Sequence, residues 1–139
     1  MRAGIGRLVP LCLAIVVWSA CAKRLPDQDL RILQASPIAK LSADNLWSDY
    51  QADRATADRK YHARAIDISG KVSTALADAP ARLMFLPQKD AKAGIEARLL
   101  DDQATALLAA ASAGERLTIR CFCEGLESGN VVLKSCIKP

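Results

Sequence analysis

The residues best equipped for chemistry are three cysteines near the C-terminus, Cys121, Cys123 and Cys136, and a single histidine, His62. A cysteine can serve as nucleophile, metal ligand or half of a disulfide. One Cys-x-Cys, one distant cysteine and one histidine fall short of the ligand set of a structural zinc site, so no metal is expected. In an oxidising compartment two of the three would bridge and leave one odd thiol. Redox activity is the sharper reading of Cys121-x-Cys123, and a structural bridge is the plainer one. His62 has Tyr61 beside it and no nucleophile evident in the sequence. Asp101-Asp102 is a carboxylate pair, but adjacent helical residues do not face each other, and two acids at a helix start suit its dipole. The serines lack a nucleophile-elbow context. No acid, base and nucleophile set assembles, so no catalytic residue and no cofactor is expected, and the chain does not read as an enzyme.

Two further cysteines belong to the start of the chain. Arg2 and Arg7 precede an apolar run, Leu8 to Trp18, and then Ser19-Ala20-Cys21-Ala22. That is the layout of an export signal, with an apolar stretch too short for a convincing membrane span. Cys12 lies within the run. The segment resembles a lipoprotein signal, in which a small residue precedes a cysteine that is diacylated and becomes the new N-terminus. Cys21 is that cysteine, although Trp18 stands where an aliphatic residue is usual. The competing reading is Ala20-x-Ala22, an ordinary cleavage site cut before Lys23. The expected parts are a signal at 1–20, a tether at 21–40 that carries the domain off the membrane, and a folded domain at 41–139. Losing Arg2 and Arg7 from 19 basic residues leaves 17 against 15 acidic ones, a balance of +2. Such a balance does not imply a polyanion partner by field alone.

The elements that must position these residues follow from periodicity. Ser42 can cap a helix with Asp44 in its first turn. Leu46, Tyr50, Ala57 and Tyr61 then recur at helical spacing, predicting one helix from about Ala43 to Lys60 with Trp47 at the edge of its apolar stripe. Ala65-Ile66-Asp67-Ile68-Ser69 alternates as a first strand, in which Gly70 marks a bulge or bend. Thr74 to Pro80 reads as a connection. Leu83 to Leu86 makes a second strand and Ile95 to Leu100 a third. An alanine-rich helix, Gln103 to Ala113, closes at Gly114. Leu117 to Cys123 and Val131 to Ile137 make the fourth and fifth strands around a Ser128-Gly129-Asn130 turn. The fold class is mainly β with added helices. Its expected form is a five-stranded OB-type barrel with an N-terminal helix and a helix between strands 3 and 4.

On these residues the chain resembles the tRNA-anti-like family of predicted OB-fold lipoproteins. Leu46, Tyr50, Ala57, Tyr61, Gly70, Val72, Gly114, Cys123, Gly125, Val131, Leu133 and Cys136 stand where that family's pattern has them. Ala63-Arg64 replaces a usual Gly-Lys, and Cys121 is extra. The resemblance spans about Leu41 to Ile137 and implies an exported OB barrel of undetermined role. It also implies a structural disulfide between Cys123 and Cys136. Strand parity conflicts with that pairing: Cys123 shares the inward parity of Leu117 and Ile119, whereas Cys136 falls opposite to Val131 and Leu133. A bulge near Gly125 or Ser135 would reconcile the two, or Cys121 would be the true partner.

Two functional classes therefore stand. The first is a binding or adaptor module, held to the membrane by its N-terminal lipid on the periplasmic side of a bacterial envelope, or soluble in the periplasm. The second is a single-stranded nucleic-acid-binding OB domain, for which the candidate ligand face is Arg120 with Phe122 and Phe85 as stacking platforms. Single-strand binding needs a basic groove and several such platforms. The thin aromatic inventory and the export signal disfavour nucleic acid without excluding it.

Overall fold

The computed structural model of the protein describes residues 24–88, 90–111 and 114–139. The expected signal at 1–20 and the acylation site Cys21 lie outside the described residues. Seven strands form one sheet: β1 (Lys40–Ser42), β2 (Ala65–Lys71), β3 (Thr74–Leu76), β4 (Arg82–Phe85), β5 (Ile95–Leu99), β6 (Arg116–Glu127) and β7 (Asn130–Ile137). Their order is β1-β2-β6-β7-β5-β4-β3. The expectation of a closed five-stranded barrel is corrected to an open seven-stranded sheet. All five expected strands are present as β2, β4, β5, β6 and β7, and α3 (Asp101–Ala110) lies between β5 and β6.

The two added strands have local causes. The expected first strand breaks at Val72-Ser73, where the Val72 amide still donates to Glu115 O at the β6 end while the Ser73 amide donates to Met84 O of β4. Thr74–Leu76, read as a connection, therefore pairs with β4 at the far end of the sheet. At the other end β1 adds in parallel to β2. The bend thus falls after Gly70. The β2–β6 ladder keeps its register through Gly70↔Leu117, so the bulge expected there does not occur. A Cβ on Gly70 would lie 2.9 Å from Ala43 Cβ and 3.0 Å from Phe85 Cδ1. The glycine serves close packing of a helix and an aromatic ring on the strand.

The expected single N-terminal helix is two, α1 (Ala43–Ala52) and α2 (Arg54–Tyr61). Asp53 divides them with an extended backbone, and its carboxylate accepts from the Thr56 amide at 3.2 Å, capping α2. The apolar stripe survives the break: Leu46, Tyr50, Ala57 and Tyr61 are all buried in the main core. Inward residues of the strands complete that core, with Ile66, Ile68, Leu83, Ile95, Leu99, Ile119 and Leu133 fully enclosed.

Two bulges set the last hairpin. Cys123 pairs with Leu133 but Gly125 with Val132, so Glu124 is an extra residue on β6. Phe122 pairs with Lys134 but Arg120 with Ile137, so β7 carries an extra residue opposite Cys121. Ser135 takes up that extra residue in a left-handed conformation, φ 57°. The shift gives Cys136 inward parity, and the disulfide joins Cys121 to Cys136 with Cα atoms 4.3 Å apart. The expected Cys123–Cys136 bridge is therefore corrected, and Cys123 is a buried free thiol.

The stretch expected as a tether is docked from its first described residues. A strap comprising residues 24–39 crosses the outer face of β7, β6 and β2. The Lys134 ammonium donates to Leu25 O at 2.8 Å, the Asp29 amide to Ser135 Oγ at 2.8 Å, the Arg120 guanidinium to Ala35 O at 3.3 Å and the Ile38 amide to Ala65 O at 2.9 Å. At its centre a 3-10 turn, Leu30–Gln34, buries Ile32 in a second small core with Ala65, Leu100, Phe122 and Ile137.

The bridge closes a loop of sequence separation 15, for which the chain-entropy model gives about 3 kcal/mol of stability. Cys136→Ala, or reduction, is expected to lower unfolding free energy by about 2–4 kcal/mol in denaturant titrations. Peptide mapping of the oxidised protein should recover Cys121 linked to Cys136. Cys123 should react with alkylating agents only after unfolding. A Cys123–Cys136 peptide would contradict the assignment.

Candidate functional site

The face proposed from the sequence does not assemble. Phe122 is buried beneath the strap, with the Arg31 guanidinium 5.9 Å from its ring centroid. Phe85 lies on the other side of the sheet in the main core. Arg120 holds Asp67 in a bidentate ion pair at 2.7 and 3.1 Å, and that carboxylate outweighs partial burial and holds the guanidinium pKa above its ordinary value. Neither aromatic ring is free to stack on a base, and the arginine is already neutralised.

The outward side of β4 and β5 is equally committed. Arg82 lies 3.4 Å from Glu96, and Arg98 lies 3.3 Å from Glu96 and 3.4 Å from Asp27. Lys134 reaches Asp27 at 3.3 Å. Burial works against the Arg98 charge, but Glu96, Asp27 and Glu127 outweigh it and raise its pKa. A groove meant for a polyanion would leave such cations unpaired.

A cleft of about 440 Å³ opens instead where α2 meets the end of β6 and the start of the strap. Arg54, Asp58 and His62 follow one another at four-residue spacing along α2 and its C-cap, on one face; Arg59 flanks them. Glu124, Leu126 and Glu127 come from β6 and Arg24 from the strap. The sequence signal for this site was the charge pattern of α2, which reads equally well as a solvated helix face. What it lacked was the bulge at Glu124, which brings β6 residues to the helix.

The cleft rests on a partly buried polar network. Tyr50 donates to Asp58 at 2.9 Å and lies 3.4 Å from the Cys123 sulfur. Gly125, at φ 99°, permits this approach, because a Cβ there would sit 2.7 Å from Asp58 Oδ1. Tyr61 donates to Asp49 at 2.6 Å; burial first, and then that bond, push its phenol up to about 12. Burial likewise raises the Tyr50 phenol. His62 Nδ1 lies 2.9 Å from Glu124 O. A carbonyl only accepts, so Nδ1 is the nitrogen that carries a proton and donates.

The charges of the cleft balance, with Arg24, Arg54 and Arg59 against Asp58, Glu124 and Glu127. Arg54 reaches Asp58 at 3.8 Å and Arg24 reaches Glu127 at 3.6 Å, whereas Arg59 donates to the Thr56 hydroxyl at 2.9 Å. Such a site offers charged groups of both signs and no run of unpaired cations. Beneath the cleft Cys123 is buried, and that burial pushes its thiol up to about 11, away from the reactive thiolate form. Among the described residues no three His, Cys, Asp or Glu side chains could hold a metal ion, and no helix is long and apolar enough to cross a membrane.

The model of the tRNA_anti-like family matches residues 1–137 of the chain. A solved structure from Klebsiella pneumoniae subsp. pneumoniae MGH 78578, described as a putative nucleic acid-binding lipoprotein, is similar with a TM-score of 0.56 and 13% identity. The similarity covers 81% of this chain and 98% of that one, and at this identity it is a likeness of fold. A comparison with curated proteins finds no match.

The raised thiol has a consequence for stability. The stability contributed by a protonated Cys123 is fully present below its ordinary value of 9.0 and is lost as pH rises toward about 11. That loss is on the order of 2–3 kcal/mol for the two-unit displacement. Wild type should therefore lose stability between pH 9 and 11 more steeply than Cys123→Ser, measured by denaturant midpoints. Parallel pH profiles would contradict the burial of this thiol.

Proposed function

The chain belongs to the tRNA_anti-like family, and we propose that it is an exported, lipid-anchored binding module of the bacterial envelope. In this reading Cys21 carries the lipid, the domain stands on the periplasmic side, and the α2–β6 cleft receives a polar ligand or a loop of an envelope protein without catalysis. The leader's charged and apolar segments and the small residues before Cys21 support export. So does the family match, which runs from residue 1. The sheet is read as an OB-type arrangement whose first strand is broken into β2 and β3.

One observation carries the choice of a binding module over a single-strand binder. OB-folds bind oligonucleotides on the outward face of their second and third strands, here β4 and β5, and that face presents ion-paired side chains while Phe85 points into the core. The description of the Klebsiella protein favours the nucleic-acid reading, and the charge pairing and buried aromatics favour the adaptor.

Intact mass of the protein extracted from its natural envelope is expected to show a diacylated chain starting at Cys21. A chain starting at Lys23 would remove the anchor and leave a soluble periplasmic module. Titration with single-stranded oligonucleotides at low salt is expected to show no binding. A linear fall of log affinity with log salt would reinstate the nucleic-acid alternative.

A further inference from the structure

The large hydrophobic side chains exposed among the described residues are Leu30, Leu33 and Ile38, at 60%, 52% and 53%. All three belong to the strap, within nine residues of one another. A 3-10 turn has three residues per turn, so Leu30 and Leu33 eclipse on one edge while Ile32 points down into the small core. The same stretch carries Arg31, whose side chain is 77% exposed although it pairs with Asp29. Elsewhere the described surface keeps its large apolar groups covered. A cluster of this kind on an otherwise polar surface marks a contact site.

We propose that the outer edge of the strap is a membrane-contact surface, through which the domain lies against the bilayer that its lipid enters. The proposal rests on the reading of Cys21 as the acylated residue. Leu30 is nine residues from Cys21, a span of at most about 30 Å for extended chain. Docking shortens the free part further. The strap is fixed to the sheet from Leu25 onward, which leaves only a few residues between lipid and domain. A domain held so closely must turn one face to the membrane, and the strap that leads from the anchor exposes Leu30, Leu33 and Ile38. Aliphatic side chains suit the interfacial layer, where they enter the acyl boundary while the exposed side chain of Arg31, paired with Asp29, stays at headgroup level. This surface follows the strap over β7, β6 and β2, and Arg24 at the strap's start lines the α2–β6 cleft.

The test uses the mature chain with Cys21→Ala, which removes the acyl chains and leaves only the strap's own affinity. Its partitioning to vesicles of phosphatidylethanolamine and phosphatidylglycerol is compared with that of the same chain carrying Leu30→Ser, Leu33→Ser and Ile38→Ser. The parent should float with the vesicles, and the triple variant should bind at least about tenfold more weakly with an unchanged melting temperature. Equal binding by the two, or none by the parent, would overturn the proposal. It would also be overturned if the parent sedimented as a dimer that the triple variant abolished, because a second copy would then cover the strap. The vesicle result is read on unacylated protein, so it stands or falls apart from the mass measurement that tests the anchor.

Discussion

One extra residue on the last strand decides where the disulfide closes and where the strap docks. Because side chains alternate along a strand, an inserted residue exchanges the faces of everything beyond it. Ser135 is that insertion, in a left-handed backbone at φ 57°. Beyond it Cys136 turns inward to meet Cys121, and Ile137 turns outward to join Phe122 and Ile32 in the small core. The inserted serine is itself used. Its hydroxyl accepts from the Asp29 amide and donates to Asp27 O at 3.0 Å, so one local irregularity closes the disulfide and supplies a docking point for the strap.

The strap in turn accounts for the functional character of the sheet. It covers Phe122, engages Arg120 and brings Asp27 to Arg98 and Lys134. The surface left open is ion-paired on β4 and β5, of mixed charge in the α2–β6 cleft and apolar along the strap's edge. That distribution is what supports the proposed reading as a module for protein and lipid neighbours, since a nucleic-acid backbone requires unpaired cations and its bases require free rings. The positions that carry the family resemblance point the same way. Tyr50, Ala57, Tyr61, Cys123 and Gly125 fasten the helices to β6, and Val131, Leu133 and Cys136 line the core. They serve the fold, and none of them lines the α2–β6 cleft.

Legibility in the sequence followed the range of the interactions involved. The stripe from Leu46 to Tyr61, the five main strands and the helix before β6 were readable because burial imposes a period on local sequence. The split at Asp53 left a local trace too, in a capping aspartate three residues ahead of Thr56. Strand β3 was missed because Thr-Ala-Leu carries no alternation long enough to read, and β1 because Lys40–Ser42 borrows its pairing from β2. The parity conflict between Cys123 and Cys136 was visible in the sequence. Its resolution was not, since a bulge at Ser135 and a partner at Cys121 are settled by pairing across the sheet. Phe122 was misplaced for the same reason: its outward parity was right, and what covers it arrives from residues some ninety positions earlier in the chain.

The strap is an integral part of the fold, and native-state hydrogen exchange of the mature protein measures that directly. The amides of Leu25, Asp29 and Ile38 donate to Glu124, Ser135 and Ala65. They are expected to exchange only through the same openings as the β6 and β7 amides. Exchange at the rate of an unstructured chain would mean that residues 24–39 are a free tether, and would return Phe122 and Arg120 to the solvent.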